Sequence, residues 1–135
     1  AGVRIGYMVG GEALVAEFDK LRPPYNVSVL NAECALFALE HAAVFEQQAA
    51  SIREQRQVLI DALAHLPGVT PFPSEANMVL VRVPDAQRCF DALKAQGILV
   101  KNVSKMHPLL AGCLRLTVGT PQENAQLIRA LHTSL

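Results

Sequence analysis

The chain has 135 residues, a fitting length for one compact domain, and 51% of them are hydrophobic, so material for a core is plentiful. Its 12 basic and 12 acidic residues cancel, which leaves no net field to attract nucleic acid or an anionic lipid surface. No apolar run reaches membrane-spanning length, and the N-terminus lacks the charged start and apolar stretch of a signal peptide.

The chain opens on Ala1-Gly2 rather than on Met, directly before a strand-like run, which raises the expectation that coding sequence precedes it. Residues 3–9, Val-Arg-Ile-Gly-Tyr-Met-Val, predict a strand ended by Gly10-Gly11. Residues 13–20 suit a short helix, and Pro23-Pro24 then force extended backbone. From about Ser28 the pattern turns helical, and residues 29–43 are apolar nearly all round, as expected of a buried helix. Further on, Phe45, Ala49, Ile52, Leu59, Leu63 and Leu66 recur at helical spacing with Gln, Arg and Glu between them, which predicts a half-exposed helix. Together the two pieces span about 40 residues, long for a globular helix, so a bend is expected near residues 41–46. Pro67-Gly68 ends the run.

The remainder reads as a small α+β unit. Residues 77–83 predict a strand with Val79, Val81 and Val83 on one face. Asp85 is a candidate N-cap for a helix whose apolar face holds Cys89, Phe90 and Leu93 and which Gly97 ends. Ile98-Leu99-Val100 predicts a short strand, residues 101–112 a loop, and residues 114–118 another strand. In that last strand Leu114, Leu116 and Val118 share one face, while Cys113, Arg115 and Thr117 share the other. Thr120-Pro121-Gln122-Glu123 supplies an N-cap, a Pro at the first helical position and a capping-box Glu for a helix over 121–134, which buries Leu127, Ile128 and Leu131.

Arg115 is the first residue that asks for chemistry. It stands mid-strand between leucines, so its charge needs an anion or an exit to water. It is either a fork for a carboxylate or an exposed arginine on the outer face of a sheet. Arg4 poses the same choice, between a phosphate ligand and a surface arginine on an edge strand. Asn77 is either a turn residue or a side-chain donor into a cleft. The glycines near the start match neither the dinucleotide fingerprint nor the P-loop. His41, His65, His107 and His132 are scattered and read as structural or surface residues, and Ser104-Lys105 as a solvated pair in a loop. Cys34, Cys89 and Cys113 form no C-x-x-C, so neither a zinc site nor a disulfide framework is suggested. They read as small buried thiols in a reducing compartment.

Read as words, these surroundings resemble a known family. Ala1-Gly2-Val3-Arg4-Ile5-Gly6-Tyr7 is similar to the end of the signature S-K-x-x-x-L-A-G-x-R-x-G of fold-type-I pyridoxal-phosphate aminotransferases. Pro24-Tyr25-Asn26-Val27 resembles the family's P-Y-N-V break, and Ser74-Glu75-Ala76-Asn77 its S-x-A-N-F segment, with Met78 in place of Phe. Residues 112–120, Gly-Cys-Leu-Arg-Leu-Thr-Val-Gly-Thr, are close to the G-C-L-R-[IV]-T-V-G-T of the histidinol-phosphate aminotransferases. The matches run in the family's order, and the last is the most specific.

The resemblance implies an α/β protein of which this is the C-terminal part, with a long linking helix and a small, mainly antiparallel sheet covered by helices. Residues 1–27 would be the tail of the large cofactor-binding domain, residues 28–66 an interdomain helical segment, and residues 67–135 the small domain. It further implies that Arg4 holds the phosphate of pyridoxal 5'-phosphate, that Arg115 binds the substrate's α-carboxylate, and that Lys101 helps hold the substrate phosphate. Asn77 joins them as a substrate-binding candidate. Lys101 stands where the family usually has Arg, which keeps the charge and loses the fork.

The signature's Schiff-base lysine would lie before Ala1, so no catalytic residue is expected within residues 1–135. Alone, the segment is expected to be inactive and to retain no cofactor. The implied parent is a cytoplasmic homodimer of histidine biosynthesis that exchanges an amino group between histidinol phosphate and 2-oxoglutarate, without nucleic-acid or membrane partners. Aromatic aminotransferases and threonine-phosphate decarboxylases share much of this layout. A different class of reading is a non-enzymatic α+β module that binds a small amino acid or phosphate through Arg115.

Overall fold

The computed structural model describes residues 2–135; Ala1, the first residue of the opening motif, lies outside them. The chain divides into two units, one up to Gln47 and one from Gln48 to Leu135.

In the first unit, residues 3–9 do not form the expected strand. Among the described residues they find no partner ladder, and an isolated strand has nowhere to place its backbone hydrogen bonds. A short helix, α1, spans Glu12–Asp19. The next, α2, spans Val29–Glu40, and the Ser28 hydroxyl caps it by accepting from the Asn31 N–H at 3.1 Å. No residue of α2 is buried, contrary to the expectation for residues 29–43. Its sequence is apolar nearly all round, but among the described residues only Asn31, Ala32, Ala35 and Ala38 are even half-buried. The expected bend is a break at His41 (φ −108°, ψ 29°), after which α3 spans Ala42–Ala64. The His41 ring stacks on Phe37 with centroids 4.2 Å apart, and its Nδ1 donates to the Phe37 carbonyl at 2.9 Å.

The second unit takes the C-terminal part of α3 into its core. Burial rises along the apolar stripe: Phe45 is exposed, Ile52 half-buried, and Leu59, Leu63 and Leu66 buried. Gly68 turns the chain with φ +74°, a conformation that costs other L-residues dearly. Four strands follow: β1 (Thr70–Pro71), β2 (Met78–Arg82), β3 (Lys101–Asn102) and β4 (Cys113–Thr117). They form one sheet in the order β1-β2-β4-β3, antiparallel at every pairing. The register sets Leu80 opposite Arg115 and Met78 opposite Thr117. Val79 and Val81 of β2 and Leu114 and Leu116 of β4 therefore point together into a core closed by α3, α4 (Ala86–Ala95) and α5 (Pro121–Ser134).

Three details differ from the sequence reading. Strand β1 was not expected, since Thr70-Pro71 is too short and too proline-rich to announce itself. The strand expected at Ile98-Leu99-Val100 lies just beyond it, at Lys101–Asn102. Residues 98–100 instead leave α4 through a tight C-terminal turn, with Gly97 at φ +77° and the Ile98 N–H bonded to the Leu93 carbonyl at 2.9 Å. Cys113 is buried, as a small thiol was expected to be, but it is so on the face it shares with Arg115, which was not expected to be covered there. Arg82, opposite it, donates to the Leu109 and Ala111 carbonyls at 2.9 and 3.2 Å and folds the 108–111 segment over that end of the sheet.

The helix starts follow the sequence. Asp85 accepts from the Gln87 and Arg88 N–H groups at 3.1 and 2.9 Å. Thr120 and Glu123 form a complete capping box: Glu123 Oε2 accepts from the Thr120 N–H at 2.8 Å and from its hydroxyl at 2.9 Å. These two bonds, the backbone one first, hold the Glu123 carboxyl below its usual value. A depressed folded value makes the contribution fully present above the unfolded carboxylate value, near 4.3, and lost as pH falls below that value and through the lower folded one. Glu123→Gln keeps the acceptor but cannot titrate. Its Tm is expected to fall less than that of the native chain between pH 6 and pH 3, and a calorimetric pH series will show an equal fall if the box does not titrate. Leu63, with no exposed surface at the centre of the core, sets the larger scale. Leu63→Ala is expected to cost about 2–5 kcal/mol in urea denaturation.

Candidate functional site

Arg115 sits in the middle of β4, an inner strand, and is half-buried on the face away from the helices. Lys101 of β3 is its direct partner across the ladder. Opposite residues in an antiparallel pair have Cα atoms roughly 4.5–5.5 Å apart, so two cationic side chains rise side by side from one patch of sheet. Like charges placed directly opposite destabilise a sheet unless something neutralises them. Among the described residues neither has an acidic partner within salt-bridge distance, and neither side chain donates a hydrogen bond. The third cation of that face, Arg82, is already spent on backbone carbonyls and on the ring of Phe72, 5.3 Å from its guanidinium. The pair can therefore offer an anion a planar fork from Arg and a point charge from Lys.

Asn77 lies at the entrance to β2, exposed, three residues before Leu80, the residue that faces Arg115. That spacing is roughly 10 Å along the strand, at about 3.3 Å per residue, and its odd count sets Asn77 opposite Val118, at the end of the sheet and off the face that carries Arg115 and Lys101. The Asn77 carbonyl accepts from the Val118 N–H at 2.9 Å. The turn that carries it is closed by Ser74, whose hydroxyl accepts from the Ala76 N–H at 3.1 Å and donates to the Met78 carbonyl at 2.5 Å.

Arg4 belongs to the first unit. Its φ is +56°, and it alone of the described non-glycine residues has a positive φ. That conformation costs an L-residue roughly 1–2 kcal/mol, and such outliers gather at ligand clamps. The preceding carbonyl, of Val3, accepts from the Asn31 amide nitrogen at 2.5 Å, while the Asn31 amide oxygen accepts from the Ser28 hydroxyl. The cap of α2 thus also ties down the residue before Arg4.

The remaining candidates carry no chemistry. His41 and His65 donate to the carbonyls four residues earlier, and His107 caps a short 3-10 turn. The Ser104 hydroxyl donates to the Cys113 carbonyl at 3.1 Å. Among the described residues no group of His, Cys, Asp or Glu could hold a metal ion, and no helix is long and apolar enough to cross a membrane. Cys89 and Cys113 are buried as expected, but Cys34 is exposed on α2. Burial, helped by the nearby Asp85 carboxylate, pushes the Cys89 thiol up and keeps it protonated.

Two residues that fasten the backbone near Arg115 and Asn77 escape a reading by motif. Asn124 of α5 is buried and clasps the peptide groups of Gly119, accepting from its N–H at 2.9 Å and donating to its carbonyl at 3.2 Å. Its amide also reaches Gln55 Oε1 at 3.3 Å, so it fixes the exit of the strand that carries Arg115. Arg56 of α3 holds the turn before Asn77, donating to the Ala76 carbonyl at 3.2 Å and to Glu75 at 3.0 Å. A signal for Arg56 was available: it occupies the helical position between Ile52 and Leu59 within an otherwise apolar stripe.

Residues 1–131 match the sequence model of the class I and II aminotransferases, and the chain belongs to that family. Within it, the chain is 69% identical over 131 residues to the histidinol-phosphate aminotransferase of Methylibium petroleiphilum, a match that covers 97% of this chain and 35% of that protein. Its structure is similar to that of L-threonine-O-3-phosphate decarboxylase from Porphyromonas gingivalis (TM-score 0.83, 29% identity, 98% of this chain and 42% of the other). It is also similar to histidinol-phosphate aminotransferase from Sinorhizobium meliloti in complex with pyridoxal-5'-phosphate (TM-score 0.72, 25% identity, 90% of this chain and 34% of the other). The chain spans little more than a third of the length of the curated relatives it matches.

The opposed cations make their own prediction. Orthophosphate at about ten times its Kd is expected to raise the Tm of the native chain by about 4 °C. The double substitution Lys101→Met with Arg115→Met should abolish that rise. An equal rise in both proteins would place the phosphate elsewhere.

Proposed function

We propose that the whole protein is a pyridoxal-phosphate-dependent aminotransferase that moves an amino group from histidinol phosphate to 2-oxoglutarate. The donor becomes the corresponding phosphorylated ketone and the acceptor becomes glutamate, so the amino group and the oxo oxygen change places. The observation that carries the reading is the opposed pair Arg115 and Lys101, two cations on neighbouring strands with no acidic partner among the described residues. It gains its particular substrate from the 69% identity to a histidinol-phosphate aminotransferase.

In this reading Arg115 and Lys101 grip the anionic end of the substrate, and Asn77 offers its carboxamide to the same molecule. Because the two cations stand opposite one another, a single phosphate or carboxylate can take charge from both. Lys101 adapts to either shape, since a flexible ammonium imposes no planar geometry. Arg4 holds the cofactor phosphate. The residues present fit that group: the Arg4 guanidinium makes no ion pair among the described residues and sits on a backbone held in a costly conformation. Pyridoxal phosphate, when bound, supplies the electron sink that amino-group transfer needs. Proton transfer at the substrate carbon is assigned to no residue of this segment, so residues 1–135 alone are expected to give no turnover. We extend the same reading to a cytoplasmic homodimer, which free thiols suit.

A second reading has one observation in its favour, the similarity to threonine-phosphate decarboxylase. The two part at the products. The whole protein is to be assayed with histidinol phosphate, phenylalanine and O-phosphothreonine, following glutamate formed and carbon dioxide released. Glutamate from histidinol phosphate with no carbon dioxide is expected. Arg115→Ala is expected to raise KM for that donor by roughly two orders of magnitude. Carbon dioxide from O-phosphothreonine as the dominant product would replace the first reading with the second.

A further inference from the structure

We propose that Arg56 is a positioning residue for Asn77, setting the angle at which the turn before β2 presents that carboxamide to the substrate. The proposal rests on the reading of Asn77 as a substrate contact.

Arg56 sits in the buried stripe of α3 with its side chain only 12% exposed. A guanidinium withdrawn this far from water needs acceptors. It finds two, both in one turn: the Ala76 carbonyl at 3.2 Å and the Glu75 carboxylate at 3.0 Å. They differ in weight. Glu75 is 97% exposed, and an ion pair whose partner stands in solvent contributes little. The Ala76 carbonyl lies in the same rigid peptide plane as the nitrogen and Cα of Asn77. Holding that oxygen fixes the direction from which the Asn77 side chain departs.

Two other residues complete the clamp. Ser74 closes the turn from within, and Val118 takes the Asn77 carbonyl into the end of β4. The backbone around Asn77 is therefore fastened from α3, from the turn itself and from the sheet. Among the described residues no hydrogen bond engages its carboxamide. A residue kept only to shape a turn would spend its side chain on the turn, as Ser74 does. Here the backbone is fixed and the side chain is left free, as a ligand contact requires.

The test is a double-mutant cycle in the whole protein, saturated with pyridoxal phosphate, with steady-state kinetics on histidinol phosphate. Arg56→Met is expected to raise KM roughly tenfold while kcat changes by less than about twofold, since a misaimed contact weakens binding. Arg56→Lys, which cannot reach both acceptors, should fall between. In an Asn77→Ala background the Arg56 substitutions should add less than about twofold, because the group they aim is gone. The proposal is overturned if the full KM effect of Arg56→Met persists without the Asn77 carboxamide, or if that variant lowers only Tm; either leaves the reading of Asn77 intact. If Asn77→Ala by itself leaves KM unchanged, that reading fails and the role of Arg56 goes with it. Should Arg56→Met not fold, the cycle with Arg56→Lys decides by the same criterion.

Discussion

The pairing of β2 with β4 is the constraint on which the second unit depends. Leu80 opposite Arg115 is one rung of that ladder, and each rung decides which side chains meet the helices and which meet water. A slip of one residue would turn Leu114 and Leu116 outward and drive the Arg115 charge into an apolar core. The buried valines and leucines on the other face forbid it. The hydrophobic effect thus fixes the position of a cation it never touches. Strand β3 then needs only two residues to bring Lys101 alongside.

Much of this was legible in the sequence, for reasons that can be named. Period-two alternation marked β2 and β4, and a Thr-Pro-x-Glu start marked α5, because local chemistry specifies both. Arg115 was legible as a charge between leucines. That Lys101 stands opposite it was not, because register is a property of two strands and neither strand encodes it alone. The strand expected over residues 3–9 failed for a related reason: Val3 and Ile5 have the right propensity, but a strand exists only with a neighbour. The helix over residues 29–40 shows the converse. Its composition correctly gave a helix, while burial depends on what packs against it. Arg56 was less legible, because a single charge among the apolar positions of α3 makes no pattern of its own and its acceptors lie in a turn some twenty residues away.

The cations singled out in the two units stand on two kinds of support. Arg115 and Lys101 rise from the regular ladder of a sheet, where position is set by many weak contacts. Arg4 rises from irregular backbone at φ +56°, steadied by the hydrogen bond from Asn31 to the preceding carbonyl. A strained residue of that kind persists only when its surroundings over-determine it. The helix cap at Ser28 and Asn31 supplies part of that determination, so a motif usually counted as helix stability also holds the backbone beside Arg4.

The two prolines around Phe72 lend the sheet one more property. The Phe72 N–H points inward to the Leu80 carbonyl, so by alternation the nitrogen of Pro71 faces the free side of β1, where it has no hydrogen to offer. The opposite margin is a strand of two residues that begins with a lysine. Neither border presents the row of open donors and acceptors on which a foreign strand could grow. Self-association of this unit by sheet extension is therefore discouraged at both margins.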